Sequence, residues 1–378
     1  MISGERFSVE YLLNGTEQEA YEKALDICVE QTIEFPKDLV TSPLILEHII
    51  GKIESFEPLE KGFLARISFA VEITAFEFTQ LLNVIFGNIS IKPGIKVQKI
   101  HLPQTILSHF KGPKFGREGI RKLLNVYDRP LLFTALKPMG LSAKELGELA
   151  YKFALGGIDI IKDDHGLSNQ IFAPFEERVK YCVEGVEKAN SETCFNSIYV
   201  PNITASYDET IKRAEFAKDY GSKGVLVSPA LTGLEATKKL ADDNNFDIPV
   251  FSHPAFQGSY LTCSESGFSH YALCGQITRL AGADGVIYPN FGGRFSFSKQ
   301  ECIDIAEATK ADMAHIKPIF PCPGGGMTFD KVAEMLEVYG KDVIFLMGGG
   351  LFRHGNDLVE NCRYFRNMVE SPMSLEVL

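Results

Sequence analysis

Two glycine triplets, Gly324-Gly325-Gly326 and Gly348-Gly349-Gly350, each follow a short apolar run. Glycine has no Cβ, so backbone N–H groups can come close to an anion and cradle a phosphoryl group. One triplet would mark only a tight turn; two after equivalent runs point to a phosphate. A second cluster, Lys162-Asp163-Asp164-His165, also ends an apolar run. A lysine at the end of a buried strand must be paired or modified, because an isolated buried ammonium is costly. It is either half of a Lys–Asp ion pair that ties the fold together, or part of a site where Lys162, Asp164 and His165 converge on a metal or a proton. Lys137 and His253 close two further runs. On a rim shared with a phosphate, Lys137 reads as an electrophile or proton carrier. His253 reads as a catalytic or a hydrogen-bonded structural histidine. Cys322 lies beside a glycine turn, the placement of a reactive thiol or simply of a small residue at a strand end.

The elements that must position these groups form a regular beat. Apolar runs recur at 131–137, 158–164, 198–204, 224–228, 250–253, 285–288, 319–322 and 343–347, their starts 24 to 40 residues apart. Most are separated by helical patterns such as 142–154 and 208–220. Continuous rather than alternating apolar runs suit parallel strands covered on both faces. Eight strand-then-helix units match a (β/α)8 barrel, with a doubly wound open sheet as the rival. In a barrel the polar residues ending each run gather at one rim, and the seven–eight end is where phosphate sites recur. The first part of the chain reads as a small α+β domain. There Thr16 and Glu19 form a capping box for a helix through Ala20, Leu25 and Cys28, followed by a strand-like 62–73 and a helical 76–85. Residues 112–128, rich in Gly, Lys and Arg, read as a connection.

Composition excludes some functions. Net charge is −11 over 378 residues, against the dense basic face a nucleic acid needs. A small phosphate needs only a few local donors. No run is long and apolar enough for a transmembrane helix, and the start lacks the layout of a signal peptide. Eight scattered cysteines without a Cys-x-x-Cys pair read as reduced thiols, so a cytoplasmic location is expected, with no nucleic-acid or membrane partner.

Several segments together carry a family likeness. The stretches 131–140 (LLFTALKPMG), 156–165 (GGIDIIKDDH) and 202–205 (NITA), with Ser252-His253 and the two triplets, resemble the RuBisCO large-subunit superfamily in order and spacing. Phe86-Gly87-Asn88 and Val29-Glu30-Gln31 look like its N-terminal active-site segments. The resemblance implies a C-terminal (β/α)8 TIM barrel over 126–378, preceded by a smaller α+β ferredoxin-like domain over 1–125. It implies that Lys162 reacts with CO2 to give a carbamate which, with Asp164 and its neighbour, holds Mg2+. It implies that Lys137 assists enolisation, that Gly324, Gly325, Gly326, Gly348, Gly349 and Gly350 hold a substrate phosphate, and that Glu30 and Asn88 reach in from a partner subunit of a homodimer.

The departures from a carboxylase are as informative. His165 stands where the family has its second metal-ligating carboxylate, and Met139 replaces the second lysine of the strand-one loop. Pro254 replaces an arginine that grips a second phosphate, Ile287 replaces a histidine, Phe35 falls near a phosphate-binding threonine, and only Arg294 lies near the mobile-loop lysine. Without those cations a bisphosphate has little to neutralise its far end, and a developing carboxylate lacks its partner. The expectation is a RuBisCO-like protein of the form IV, non-carboxylating branch. It would enolise a phosphorylated ketose or keto-acid as an isomerase or a decarboxylase, in carbohydrate or methylthio-sugar phosphate metabolism. A diketo-methylthiopentyl-phosphate enolase and a catalytically silent phosphosugar-binding protein are the alternatives. Because Mg2+ prefers oxygen, His165 either weakens the metal, favours a softer ion, or serves as a general base.

Overall fold

The structure, a computed structural model, describes residues 2–295 and 297–370, so residues 371–378 of the expected barrel domain lie outside the described residues. The chain divides into two compact units. One comprises Met1–Lys111, Gln257–Ile277 and Asp312–Ile316; the other comprises Gly112–Phe256, Thr278–Ala311 and Lys317–Leu378.

The first unit is built on a sheet whose strands Arg6–Leu13, Lys52–Pro58, Phe63–Ala70 and Ile95–His101 pair antiparallel, with Arg6–Leu13 between the last two. Arg6–Leu13 alternates strictly, Phe7, Val9, Tyr11 and Leu13 being buried, as a strand with one covered face requires. The helix Glu17–Glu30 starts at Thr16, whose side chain accepts from the Glu19 N–H while the Glu19 carboxylate accepts from the Thr16 N–H. Helix Phe78–Phe86 follows, and a two-residue strand, Gly267–Phe268, adds in parallel to Ile95–His101.

Among the described residues, the second unit contains eight parallel strands: Leu131–Leu136, Ile160–Asp163, Ile198–Val200, Val225–Val227, Val250–Ser252, Gly285–Pro289, Phe320–Gly324 and Ile344–Leu346. Ladders join strands eight-one-two-three and four-five-six-seven. A bridge between Asn202 and Leu226 links three to four, and strands seven and eight pack side by side, closing the barrel. Alternation sorts the side chains. Leu131, Phe133, Ile160, Ile198, Val200, Leu226, Phe251, Ile287, Phe320, Cys322, Ile344 and Leu346 form the inner cluster. Their neighbours Leu132, Ile161, Tyr199, Val225, Val227, Val250, Val343 and Phe345 face the helices in a second cluster. Burial of each large side chain contributes roughly 2 kcal/mol, so these two layers dominate the fold.

The stretch 112–128 is not a plain connection: it contains the helix Gly116–Leu124, with Ile120 and Leu124 packed on the inner cluster. Arg121 in that helix donates to the carbonyls of Val126, Arg129 and Lys341 and to Asp342, and its guanidinium lies 5.2 Å from the Phe320 ring.

Candidate active site at the barrel mouth

The inward register continues past the strand ends. Counting in twos from Phe133, Ile160, Leu226, Phe251, Phe320 and Ile344 gives Lys137, Lys162, Ser228, His253, Gly324 and Gly348. All six therefore face the same rim.

The Lys-Asp-Asp string splits at the sheet. Asp163 takes the outward register and is fully buried, accepting from Arg178 Nε at 3.0 Å, Tyr199 Oη at 2.7 Å and the Asn202 N–H at 2.9 Å. A buried ion pair in the barrel wall is thus Asp163–Arg178, both side chains wholly buried, rather than one made by Lys162. Lys162 is buried in the mouth, where Nζ donates to the Asp163 carbonyl at 3.0 Å. Burial pushes its ammonium down to about 8, with Asp164 opposing and Lys137 adding to the shift. Such a lysine is partly neutral, and so nucleophilic or basic, near physiological pH.

Asp164 faces the two lysines. Lys137 Nζ lies 2.7 Å from its Oδ1, and His165 Nδ1 lies 3.4 Å from the same oxygen. Burial alone would raise this carboxyl, but hydrogen bonds from His165 and Lys137 and the charge of Lys162 hold it well below the usual carboxylate range. The rings of His165 and His253 stack at 4.5 Å between centroids, tilted by 11°. His253 Nδ1 accepts the Ala255 N–H at 3.1 Å, which places the ring proton of the neutral form on Nε2. Burial, with Lys162 and His165 nearby, holds His253 well below its ordinary value, so it is a neutral N–H donor.

The glycine turns flank these groups. A Cβ built on Gly348 would lie 3.9 Å from Lys137 Cε, placing the second triplet beside that lysine. Gly325 and Gly326 have φ of 79° and 119°, where a side chain is strained. The first triplet is fixed from strand six: the Asn290 N–H donates to Gly324 O at 2.7 Å and the Arg294 N–H to Gly325 O at 2.9 Å. A Cβ on Gly350 would meet Met327 O at 2.5 Å. Burial drives the Cys322 thiol strongly upward, so this inward cysteine stays protonated and inert.

In the N-terminal unit, Asn88 Nδ2 donates to Glu30 Oε1 at 3.2 Å, and both line a polar recess with Gln31, Thr32, Gln80 and Asn83. Gln31 is the anchor that the sequence did not single out. Its amide donates to the Asn83 and Val84 carbonyls and accepts from the Ile89 N–H, tying 30–31 to 88–89. Asn202 plays the same part in the barrel, donating to the His165 and Leu167 carbonyls and so setting the 164–167 loop.

A resident divalent ion can be tested against this donor set. With Lys162 not carbamylated, the inward carboxylate of Asp164 is faced by the two lysines Lys137 and Lys162. Among the described residues no group of three or more His, Cys, Asp or Glu side chains is placed to hold a metal. The set Lys162, Asp164 and His165 does not fit Mg2+ as it stands.

Comparisons with known proteins agree with this layout. Residues 117–373 match the family model described as the ribulose bisphosphate carboxylase large chain, catalytic domain. A crystal structure of a Rubisco-like protein from Rhodopseudomonas palustris is similar with a TM-score of 0.88 and 33% identity, covering 97% of this chain and 98% of that one. The 5-methylthioribulose-1-phosphate isomerase of Rhodospirillum rubrum is 33% identical over 96% of this chain and 95% of its own. The 2,3-diketo-5-methylthiopentyl-1-phosphate enolase of Microcystis aeruginosa is 31% identical over 85% and 81%. With an eight-stranded barrel, its rim residues and these likenesses in agreement, the chain belongs to the RuBisCO large-chain family, among its RuBisCO-like enzymes.

Proposed function

We propose that the barrel mouth enolises a phosphorylated ketose without fixing CO2, and that the reaction is an isomerisation of a methylthio-pentulose phosphate or a close analogue. The observation that carries this reading is the convergence of Lys137 and Lys162 on Asp164, with the Gly348 turn beside Lys137. In this scheme the two glycine turns hold the single phosphoryl group. Lys162, partly neutral near pH 8, takes the proton from the carbon next to the carbonyl. The Lys137 ammonium and the His253 Nε2–H donate to the oxygen that gains charge. On a 2-ketose 1-phosphate, removing the C3 proton gives a 2,3-enediol; protonation at C2, with O2 gaining and O3 losing a proton, gives the 3-ketose isomer with no other reactant. Met139, half exposed, with its Cε close to Gly166, and Pro254 after His253 offer no charge to a second phosphate, which suits an uncharged far end.

A divalent ion enters this reading only with Lys162 as a carbamate, when Lys162, Asp164 and His165 would hold it; it would then polarise the substrate carbonyl. No step above depends on it. The reading also includes a homodimer in which Glu30 and Asn88 of one copy complete the mouth of the other. The enolase reaction starts with the same proton abstraction and stands second, since the chain spans less of that relative than of the isomerase.

The test is turnover of 5-methylthioribulose 1-phosphate followed by phosphorus and proton NMR, with labelled bicarbonate present. A new phosphorylated isomer without label incorporation is expected; label entering an acid product overturns the non-fixing assignment.

A further inference from the structure

Ser228 directly follows barrel strand four, at the start of the helical turn Pro229–Thr232. Serine at that position ordinarily caps the turn with its side chain. Here there is no side-chain cap: the turn is held by the Ser228 carbonyl, which accepts from the Leu231 N–H at 2.9 Å. The Ser228 N–H is used as well, donating to Thr204 Oγ1 at 3.0 Å. Thr204 in turn donates to Asn202 Oδ1 at 2.7 Å, so its own proton is committed. The Ser228 hydroxyl is left buried without a hydrogen-bond partner. A buried hydroxyl in that state costs free energy on the order of 1–3 kcal/mol, and a native protein keeps one where something else compensates.

Position indicates the compensation. Val227 pairs with Ser252 in the four–five ladder, and the His253 N–H donates to the Val227 carbonyl at 2.8 Å. Ser228 and His253 are therefore lateral neighbours, both in the inward register. His253 is partly exposed, so a ligand that reaches its ring arrives beside Ser228. Ser252 provides the contrast: its hydroxyl is equally buried and unpartnered, but it has the outward register of Val250.

We propose that Ser228 is a specificity-determining residue whose hydroxyl binds an oxygen on the carbon chain of the substrate, next to His253. A hydroxyl both donates and accepts, which matches a sugar hydroxyl better than a phosphate. The inference rests on the phosphorylated-ketose reading above and assigns the far side of the mouth, opposite the glycine turns in strand order, to the polyol segment.

Calorimetric titration of the full chain and of Ser228→Ala and Ser252→Ala, with inorganic phosphate and with 5-methylthioribulose 1-phosphate as probes, tests it. Ser228→Ala is expected to bind inorganic phosphate as the parent does and the pentulose phosphate roughly ten-fold more weakly. Its urea midpoint should be unchanged or higher, because an unpaired polar group has gone. Ser252→Ala should leave both affinities alone. Equal pentulose phosphate affinity in the parent and Ser228→Ala overturns the inference, as does an equal loss for both probes, which would mark a structural residue. A parent protein that binds neither probe overturns the phosphorylated-ketose reading and this assignment together.

Discussion

Asp163 and Asp164 are adjacent in the chain yet serve opposite faces of the barrel wall. The first accepts three hydrogen bonds behind the sheet, from Arg178, Tyr199 and Asn202; the second faces Lys137 at 2.7 Å in the mouth. Their substitutions should separate stability from chemistry. Asp163→Asn leaves Arg178 buried without its counter-charge and should cost about 3–5 kcal/mol in urea denaturation. Asp164→Asn, at a partly solvated position with Lys137 free to reach water, should cost about 1 kcal/mol or less while reducing proton exchange on a bound ketose phosphate. Similar losses of stability in both would contradict the division.

The depressed Lys162 gives stability a pH signature. Its folded value of about 8 lies below the usual 10.5, so between those limits the unfolded chain binds more protons than the folded one. Its contribution is therefore a penalty, fully present below about pH 8 and relieved as pH rises to 10.5. Lys162→Met should be more stable than the parent at pH 7 and should lose that advantage across this window. Parallel urea midpoints for the two proteins from pH 7 to 10 would refute the assignment.

The shared-site reading makes a complementation prediction. Glu30→Ala and Lys162→Ala should each be inactive alone. Mixed, unfolded and refolded together, they should regain roughly a quarter of parental activity, because random pairing gives half heterodimers, each with one intact mouth. Additive residual activities would mean that each copy works by itself.

Metal binding should depend on bicarbonate. Without it, Mn2+ should show no tight site by electron paramagnetic resonance, since Lys137 and Lys162 surround Asp164 with positive charge. With bicarbonate a bound signal should appear and be abolished by Lys162→Ala. Tight binding in carbonate-free buffer would show that Asp164 and His165 suffice.

Much of this was legible in the residues. The eight apolar runs fall on the eight strands because parallel strands buried on both faces leave no polar alternation to confuse the pattern. The rim groups were legible for the same reason, each lying at or just past the end of a run. The separation of Asp163 from Asp164 was readable in principle by counting in twos from Ile160, once the inner face was known. Three features were not. The helix Gly116–Leu124 hides its apolar face among Gly, Lys and Arg, and Arg121 is held by carbonyls distant in sequence. The two-residue strand Gly267–Phe268 is too short to leave any periodicity. Ser228 looks like an ordinary cap in the sequence, and only its surroundings in the fold reveal that its hydroxyl does not cap.

The central claim is that Lys162 removes a carbon-bound proton from a phosphate-anchored ketose. Incubation of 5-methylthioribulose 1-phosphate in D2O, read by proton NMR, measures that event directly. Deuterium should enter at the carbon beside the carbonyl with the parent protein, faster as pH rises toward 8, and should be absent with Lys162→Ala. Exchange that persists undiminished in Lys162→Ala, while Gly348 and Lys137 are intact, would contradict the account.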